Sequence, residues 1–557
     1  MAVNNMTSTS KPSLLDATDI RLSTPDMSEP RKQPKYPTGL RLGLSLLALY
    51  ISMFLVALDK TILATAVPQI SNAFHSLQDI GWYGSSYLLT LCATQLLWGR
   101  IYTFYAPKPV FLVSILVFEV GSALCGAAPN SIAFILGRSI AGIGSAGITA
   151  GSMVIIVNSV PLEKRPVYQG LIGAVFGVAT VVGPLLGGVF TEKVSWRWCF
   201  YINLPFGALS AAVVAFVLHL PERKEGEKLS LVQQLKKLDP IGTALFLPSM
   251  ICLIMALQWG GTAYAWSNWR IVLLLVLFPV LLAGYVAVQM WKPETATMPM
   301  RILTQRTVAF GTFYTSTSIA SMLVVTYYIP IFFQAVKGFS PLSSGLAIIP
   351  SVLALVVGTI LAGGLVQRIG YPAPFMVIST ILASVGVALI STWSVNVRQQ
   401  AWIGYQVLFG FGLGLGMQQP STCAQIVLPQ EDIPTGVSII FLGQNLGGAI
   451  FIGVAQSIFA DTLAGKLSQI PGLNLTRKDV VAMGATQIKS MVPPEMLPVL
   501  LQSYRLAIRN TFYVGVAVAC VAIVGALGVE WKSVKAGKKK VDGEPSEKQE
   551  YQGKETA

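Results

Sequence analysis

Residues 133–188 read AFILGRSIAGIGSAGITAGSMVIIVNSVPLEKRPVYQGLIGAVFGVATVVGPLLGG. Two long apolar runs flank a short charged loop, Pro161 to Pro166. Each run is long enough for a helix that spans a bilayer, which needs about 20 apolar residues. The first carries a lone arginine, Arg138, one turn before the small-residue ladder Gly142, Gly144, Ser145 and Gly147. An unpaired guanidinium in hydrocarbon is costly, so Arg138 has to face a partner or a wet cavity. The second run places Gly173 and Gly177, then Gly183, Pro184, Gly187 and Gly188, at spacings that let backbones approach closely. Proline and glycine also loosen this helix, which suits a hinge or a tight gate.

Composition extends this reading to the whole chain. Of 557 residues, 53% are hydrophobic and only 11% charged, with mean hydropathy +0.63, whereas a soluble domain carries about 25% charged residues. The chain is an all-α membrane protein. Its net charge of +14 is scattered over loops and tails with no aromatic interleaving, so loop bias explains it and nucleic acid does not. The six cysteines all lie in apolar runs without metal-ligand spacing, so neither a disulfide framework nor a metal site is expected. The polar N-terminus has no hydrophobic segment before Leu42, and no cleavable signal is expected.

The length rule yields about fourteen spans. Residues 1–40 read as a disordered cytoplasmic tail and 41–220 as a six-helix bundle: Leu42–Val67, Ile80–Ile101, Val110–Ala128, Ile132–Val157, Val167–Phe190 and Cys199–Leu220. A charged cytoplasmic linker, 221–237, leads to two extra spans within 238–306, Leu238–Leu257 and Trp269–Met290. A second six-helix set fills 307–531: Val308–Phe333, Gly345–Val366, Phe375–Ile390, Trp402–Leu428, Ile433–Phe459 and Thr511–Val529. It includes a long extracytoplasmic loop, 460–509, and a basic cytoplasmic tail, 532–557, ends the chain. With the N-terminus inside, Arg100 and Lys108, Lys164 and Arg165, Arg301 and Arg306, and Lys538 to Lys540 all fall on the cytoplasmic side. The sequon Asn474-Leu475-Thr476 then lies outside, where it can be glycosylated.

The two halves repeat. A shift of 268 residues lays Gly142, Gly144, Pro161, Glu163 and Pro166 on Gly410, Gly412, Pro429, Glu431 and Pro434 without a gap. Repeats of this kind place substrate between them near mid-membrane, and rocking of one half against the other gives alternating access. The same shift sets Arg138 opposite Gln406, and aligning Pro68 with Pro330 sets Asp59 opposite Ser321. Buried charge is therefore concentrated in the first half, at Asp59, Glu119 and Arg138.

These three residues fall at overlapping depths and are expected to form one network. Desolvation raises a carboxylate's proton affinity and a nearby arginine lowers it, so a movement that changes their separation changes protonation. The competing structural reading pairs Asp59 with Lys60 and Glu119 with Arg138. In the second half, Tyr327, Tyr328, Gln334, Gln406, Gln418, Gln419, Gln444 and Asn445 are candidate substrate contacts, a mixture suited to an amphiphilic ligand.

Four motifs carry a family resemblance. Leu58-Asp59-Lys60-Thr61 through Ala66, Val67 and Pro68 resembles the first-helix motif of the drug:proton antiporters of the major facilitator superfamily, in their fourteen-spanning branch. Arg138 with Gly142, Gly144 and Gly147 is similar to the fourth-helix motif, whose arginine is implicated in proton transfer. Gly183-Pro184-Leu185-Leu186-Gly187-Gly188 resembles the fifth-helix motif held to mark antiporters. Trp196-Arg197-Trp198-Cys199-Phe200-Tyr201-Ile202-Asn203-Leu204-Pro205 is similar to the stretch that opens the sixth helix of this branch.

One departure stands out. Where the superfamily has Gly, three residues and then Asp, this chain has Gly99-Arg100-Ile101-Tyr102-Thr103. The second-half copy, Gly364 to Gly370, also lacks an acid. This variant resembles fungal members, including secondary-metabolite and toxin efflux pumps.

The resemblance implies a major facilitator fold, two six-helix bundles plus two extra central helices, and a proton-coupled efflux antiporter; the plasma membrane is the expected location, and a monomer is expected because GxxxG spacings such as Gly410 to Gly414 serve packing within the bundle. Asp59, Glu119 and Arg138 are then the proton-coupling residues, and Gly99, Arg100, Gly142, Gly183, Pro184 and Gly187 the gating or hinge residues. Partners are a small organic substrate, protons and the lipid bilayer, with no cofactor. Rival readings are an uptake or vacuolar carrier for basic amino acids or iron chelates on the same scaffold, and a non-transporting sensor. No HExxH motif, nucleophile with a nearby base or GxxxxGK[ST] loop points to an enzyme or to ATP drive.

Overall fold

The computed structural model describes residues 36–76, 79–220, 237–261, 264–468 and 494–535. The linker 221–236, most of the basic tail and the sequon at Asn474 lie outside the described residues. The first-half helices are α1 (Gly39–Phe74), α2 (Ile80–Phe104), α3 (Pro107–Ala127), α4 (Ser131–Ser159), α5 (Arg165–Lys193), α6 (Trp198–Tyr201) and α7 (Asn203–Val217). The central pair is α8 (Pro240–Trp259) and α9 (Trp269–Trp291). The second half comprises α10 (Met300–Leu303), α11 (Arg306–Ala335), α12 (Pro341–Leu346), α13 (Ile349–Ile369), α14 (Ala373–Ser391), α15 (Gln399–Gly416), α16 (Gln419–Val427), α17 (Ile433–Leu467) and α18 (Leu497–Gly528).

Twelve helical units among the described residues are long and apolar enough to cross a membrane. Two further membrane-length helices fall short for local reasons. The 25-residue α2 carries Gln95, Arg100 and several hydroxyl side chains, and α15, which stops at Gly416 after 18 residues, carries Gln399, Gln400 and Gln406. Pro420 explains that stop, because a proline removes a helical N–H and its ring clashes with the carbonyl four residues earlier. The span expected over Trp402–Leu428 is therefore two helices, α15 and α16. The loop expected over 460–509 is also narrower, since α17 continues to Leu467 and α18 already begins at Leu497.

The repeat is visible as geometry. Shifting α4, Ser131–Ser159, by 268 residues gives Gln399 to Val427, the first residue of α15 and the last of α16. Gly144 packs on the backbone of Phe118 in α3, and its counterpart Gly412 packs on the backbone of Ala383 in α14. Likewise Gly142 meets the Tyr87 carbonyl of α2, and Gly410 meets the Ser351 carbonyl of α13. In each half, small residues let the fourth long helix approach both earlier partners, where dispersion between close backbones supplies the attraction that lipid does not.

The halves meet through α5 against α13 and α2 against α17. Gly170 and Gly173 of α5 lie against Thr359, and Gly99 of α2 against Ser438 and Pro434. The central pair adjoins the second seam, with α8 against both α2 and α17. Its partner α9 exposes Val272, Leu273, Val276 and Val280 and buries Gln289, as expected of a helix bathed in lipid.

Candidate functional site

Asp59 and Arg138 are joined where α1 crosses α4. Arg138 Nη1 donates to Asp59 Oδ2 at 2.5 Å, and Nε donates to the Tyr83 carbonyl at 3.0 Å. The two side chains are 0% and 1% exposed. The guanidinium also lies over the Tyr87 ring, 4.4 Å from its centre. Asp59 Oδ1 has no hydrogen-bond partner among the described residues. The pair is thus buried on every side and leaves one carboxylate oxygen without a hydrogen bond.

Glu119 stands apart. Its carboxylate lies against Gly207 of α7, and neither oxygen has a partner among the described residues. It is within electrostatic reach of Asp59 but not bonded to Arg138. The expected single network over Asp59, Glu119 and Arg138 is therefore corrected to one ion pair with a separate carboxyl, because α3 presents Glu119 to α7 and not to α4. Neither the Asp59 to Lys60 pair nor the Glu119 to Arg138 bridge is formed.

The glycines called for gating lie at helix crossings. A methyl group on Gly183 would reach 2.1 Å from Thr61 Oγ1, and one on Gly187 would reach 2.0 Å from Thr65 Oγ1. Only hydrogen fits between α5 and α1 at these points. Thr61 Oγ1 also donates to the Ala179 carbonyl of α5 at 3.0 Å, so the same threonine both requires the glycine and bonds across the crossing. Pro184 sits within α5, which runs unbroken through it.

At the basic end of the bundle the two halves are shut against each other. Thr103, in the position where the superfamily has aspartate, has its hydroxyl 3.2 Å from that of Thr435 near the start of α17. Asp432, one residue before α17, receives both arms of Arg301, Nη2 to Oδ1 at 2.8 Å and Nη1 to Oδ2. Arg100 Nη2 donates at 2.6 Å to the Glu294 carbonyl in the loop after α9, and its guanidinium covers the Phe104 ring. Thr422 Oγ1 of α16 donates to Gln169 Oε1 of α5 at 2.6 Å.

That loop is braced by a cluster that sequence reasoning missed. Asp239 caps α8, accepting from Gly242 N at 2.8 Å, and also accepts from Gln289 Nε2 at 2.5 Å and Thr297 Oγ1 at 3.3 Å. Asp239 is 2% exposed and adopts φ 50°, a left-handed conformation that aspartate tolerates better than most residues. The dipeptide Asp239-Pro240 is a helix-start signal that marks the cap, but nothing in the sequence marks Gln289 as its partner.

The second-half candidates fall into different settings. Tyr328 is 1% exposed and packs on Phe459, so it is core and not an open contact surface, a correction to its expected role. Tyr327 is 51% exposed, and its ring meets that of Tyr328 edge-on at 5.2 Å. Gln334 Nε2 donates to Ser344 Oγ, Asn445 Nδ2 turns back onto the Phe441 carbonyl, and Gln444 is half-buried. Gln418 lies beside Gly173 of α5, and Gln419 Nε2 donates to the Leu415 carbonyl. Gln406 and Ser321, the positional counterparts of Arg138 and Asp59, are both 0% exposed, and their polar atoms find no hydrogen-bond partner among the described residues.

A family model described as Major Facilitator Superfamily matches residues 49–452. The chain is 50% identical over 514 residues to the MFS-type efflux pump MFS1 of Arthroderma benhamiae, covering 92% of this chain and 95% of that one. It is 48% identical over 503 residues to the rubrofusarin-specific efflux pump aurT of Gibberella zeae, covering 90% and 92%. Among solved structures, the proton:xylose symporter XylE bound to 6-bromo-6-deoxy-D-glucose superposes with TM-score 0.56 at 13% identity, over 89% of this chain and 98% of that chain. The helix order, the paired small-residue crossings and these matches agree: the chain belongs to the Major Facilitator Superfamily of multi-pass membrane transporters.

Proposed function

We propose that this protein exports a small organic compound across the plasma membrane in exchange for protons, by alternating access. The observation that carries the reading is the buried Asp59–Arg138 pair, whose one unpartnered carboxylate oxygen is a place for a transported proton. Support for the direction comes from relatives named as efflux pumps at 48–50% identity.

In this scheme α2 and α15–α16 also cross the bilayer, giving fourteen spans, both termini inside and two six-helix bundles flanking α8 and α9. The basic end is cytoplasmic. The seams at Thr103–Thr435 and Gln169–Thr422 then close the inner side, and the cavity opens outward. An external proton bound at Asp59 weakens its hold on Arg138, because the ion pair becomes a neutral hydrogen bond. Relaxation of α1 against α4 and α5 favours the inward-open state. Loss of the proton inside, with substrate bound, returns the pair and the outward-open state. Each unit of pH difference supplies about 1.4 kcal/mol per proton, about tenfold in substrate gradient for one-to-one exchange.

The test is transport in everted vesicles from cells expressing the protein, with a panel of small organic compounds and an imposed proton gradient. Accumulation that collapses with the gradient and is absent in Asp59→Asn supports the proposal. Transport indifferent to the gradient sinks it.

A further inference from the structure

We infer that the substrate carries an acidic oxygen, a carboxylate or phenolate, and that Lys60 receives it. The inference rests on the transport reading above and names the substrate class.

Lys60 follows Asp59 on α1, yet the two do not pair. Asp59 is turned toward α4 and bound to Arg138. Thr61, on the other side, is bound to α5. Lys60 therefore projects from the face of α1 that neither crossing covers. Its side chain is partly exposed, and its ammonium lies 5.9 Å from the centre of the Tyr87 ring of α2, which is itself 2% exposed, so it points into the bundle and not onto lipid. One helical turn further out, Ala64 is exposed, which continues the open face toward the outer end.

Among the described residues no hydrogen bond or ion pair holds the Lys60 ammonium. Its nearest marked neighbour is the Tyr87 ring, with Nζ 5.9 Å from the ring centre. The charged groups nearest it are Asp59 and Arg138, which are paired with each other. The Glu119 carboxylate lies against Gly207 of α7 and makes no ion pair with Lys60. A half-buried ammonium inside the bundle with no carboxylate of its own is a costly feature unless a ligand anion completes it. Tyr87 is a shared aromatic neighbour, its ring centre 4.4 Å from the Arg138 guanidinium and 5.9 Å from the Lys60 ammonium. Asp59 and Lys60 thus divide the work of adjacent positions: one receives the proton, the other the anion.

The experiment measures equilibrium binding and export of three matched compounds, 2-naphthoate, its methyl ester and 2-naphthylmethylammonium, by the full-length protein and by Lys60→Gln and Lys60→Arg. Binding uses the purified protein in detergent, and export uses cells. The expected result is that naphthoate binds at least about tenfold more tightly than the ester, that Lys60→Gln removes this preference while leaving ester affinity unchanged, and that Lys60→Arg keeps most of it. Unchanged ester affinity shows that Lys60→Gln is folded. A wild type without acid preference, or a preference that survives in Lys60→Gln, overturns the inference. Acid-selective binding that depends on Lys60, with no export of any compound, upholds the inference and removes the efflux reading instead.

Discussion

Arg138 Nη1 lies 2.5 Å from Asp59 Oδ2, although the residues are 79 apart in sequence, and both side chains are closed off from solvent. A buried ion pair of this kind contributes little net stability while intact, and breaking it by removing one partner costs about 3–5 kcal/mol because the other charge is left uncompensated.

Asp59→Asn is accordingly expected to abolish proton-driven transport and to lower thermal stability by an amount in that range. The double variant Asp59→Asn with Arg138→Gln, which removes both charges, is expected to recover most of the stability but none of the coupling. Thermal unfolding of the purified proteins beside gradient-driven flux separates the two effects.

The α1–α5 crossing makes a steric prediction. Gly187→Ala is expected to reduce transport at least about tenfold, since the new methyl group meets Thr65 Oγ1 at 2.0 Å and the helices cannot stay at their present separation. Thr65→Ala in the same chain removes that oxygen and is expected to restore part of the activity. Restoration by an unrelated second substitution would argue against the crossing as the cause.

The closed basic end predicts a cross-link. The Thr103 and Thr435 hydroxyls are 3.2 Å apart on opposite halves, within the side-chain reach of a disulfide. Thr103→Cys with Thr435→Cys is expected to oxidise, to stop transport while oxidised and to recover on reduction. The Asp432 hydrogen bonds raise the Arg301 guanidinium above its already high usual value. The guanidinium side of that neighbouring pair therefore stays charged well beyond neutral pH, and the cross-linking yield should not fall between about pH 6 and 8 through loss of that charge. Absence of the cross-link under added oxidant would contradict the proximity.

The cap of α8 predicts a graded stability series. Asp239→Ala leaves Gly242 N–H, Gln289 and Thr297 without their acceptor and is expected to destabilise by about 2–3 kcal/mol. Asp239→Asn keeps an acceptor and tolerates the left-handed backbone, so it should cost less. Arg100→Lys, which weakens the bond to the Glu294 carbonyl on the same loop, should disturb transport more than melting temperature.

The sequence by itself determined that this is a polytopic helical membrane protein built from two related halves. Apolar run length and small-residue spacing are local properties, and the bounds of α4 and of α15–α16 coincide under the 268-residue shift read from Gly142, Gly144 and Pro161. The break before Pro420 was also legible in principle, because proline acts on its own helix. Only the tertiary structure decided which charge meets which. Whether Arg138 binds Asp59 or Glu119 depends on the rotation of α1, α3 and α4 about their axes, which apolar residues on nearly all sides of these helices leave unmarked. The same rotation buries Tyr328 and opens Tyr327 one residue away, and leaves Lys60 unpaired beside a paired Asp59. The Thr103–Thr435 seam joins residues 332 apart and needs both halves in place before either hydroxyl has a partner across it.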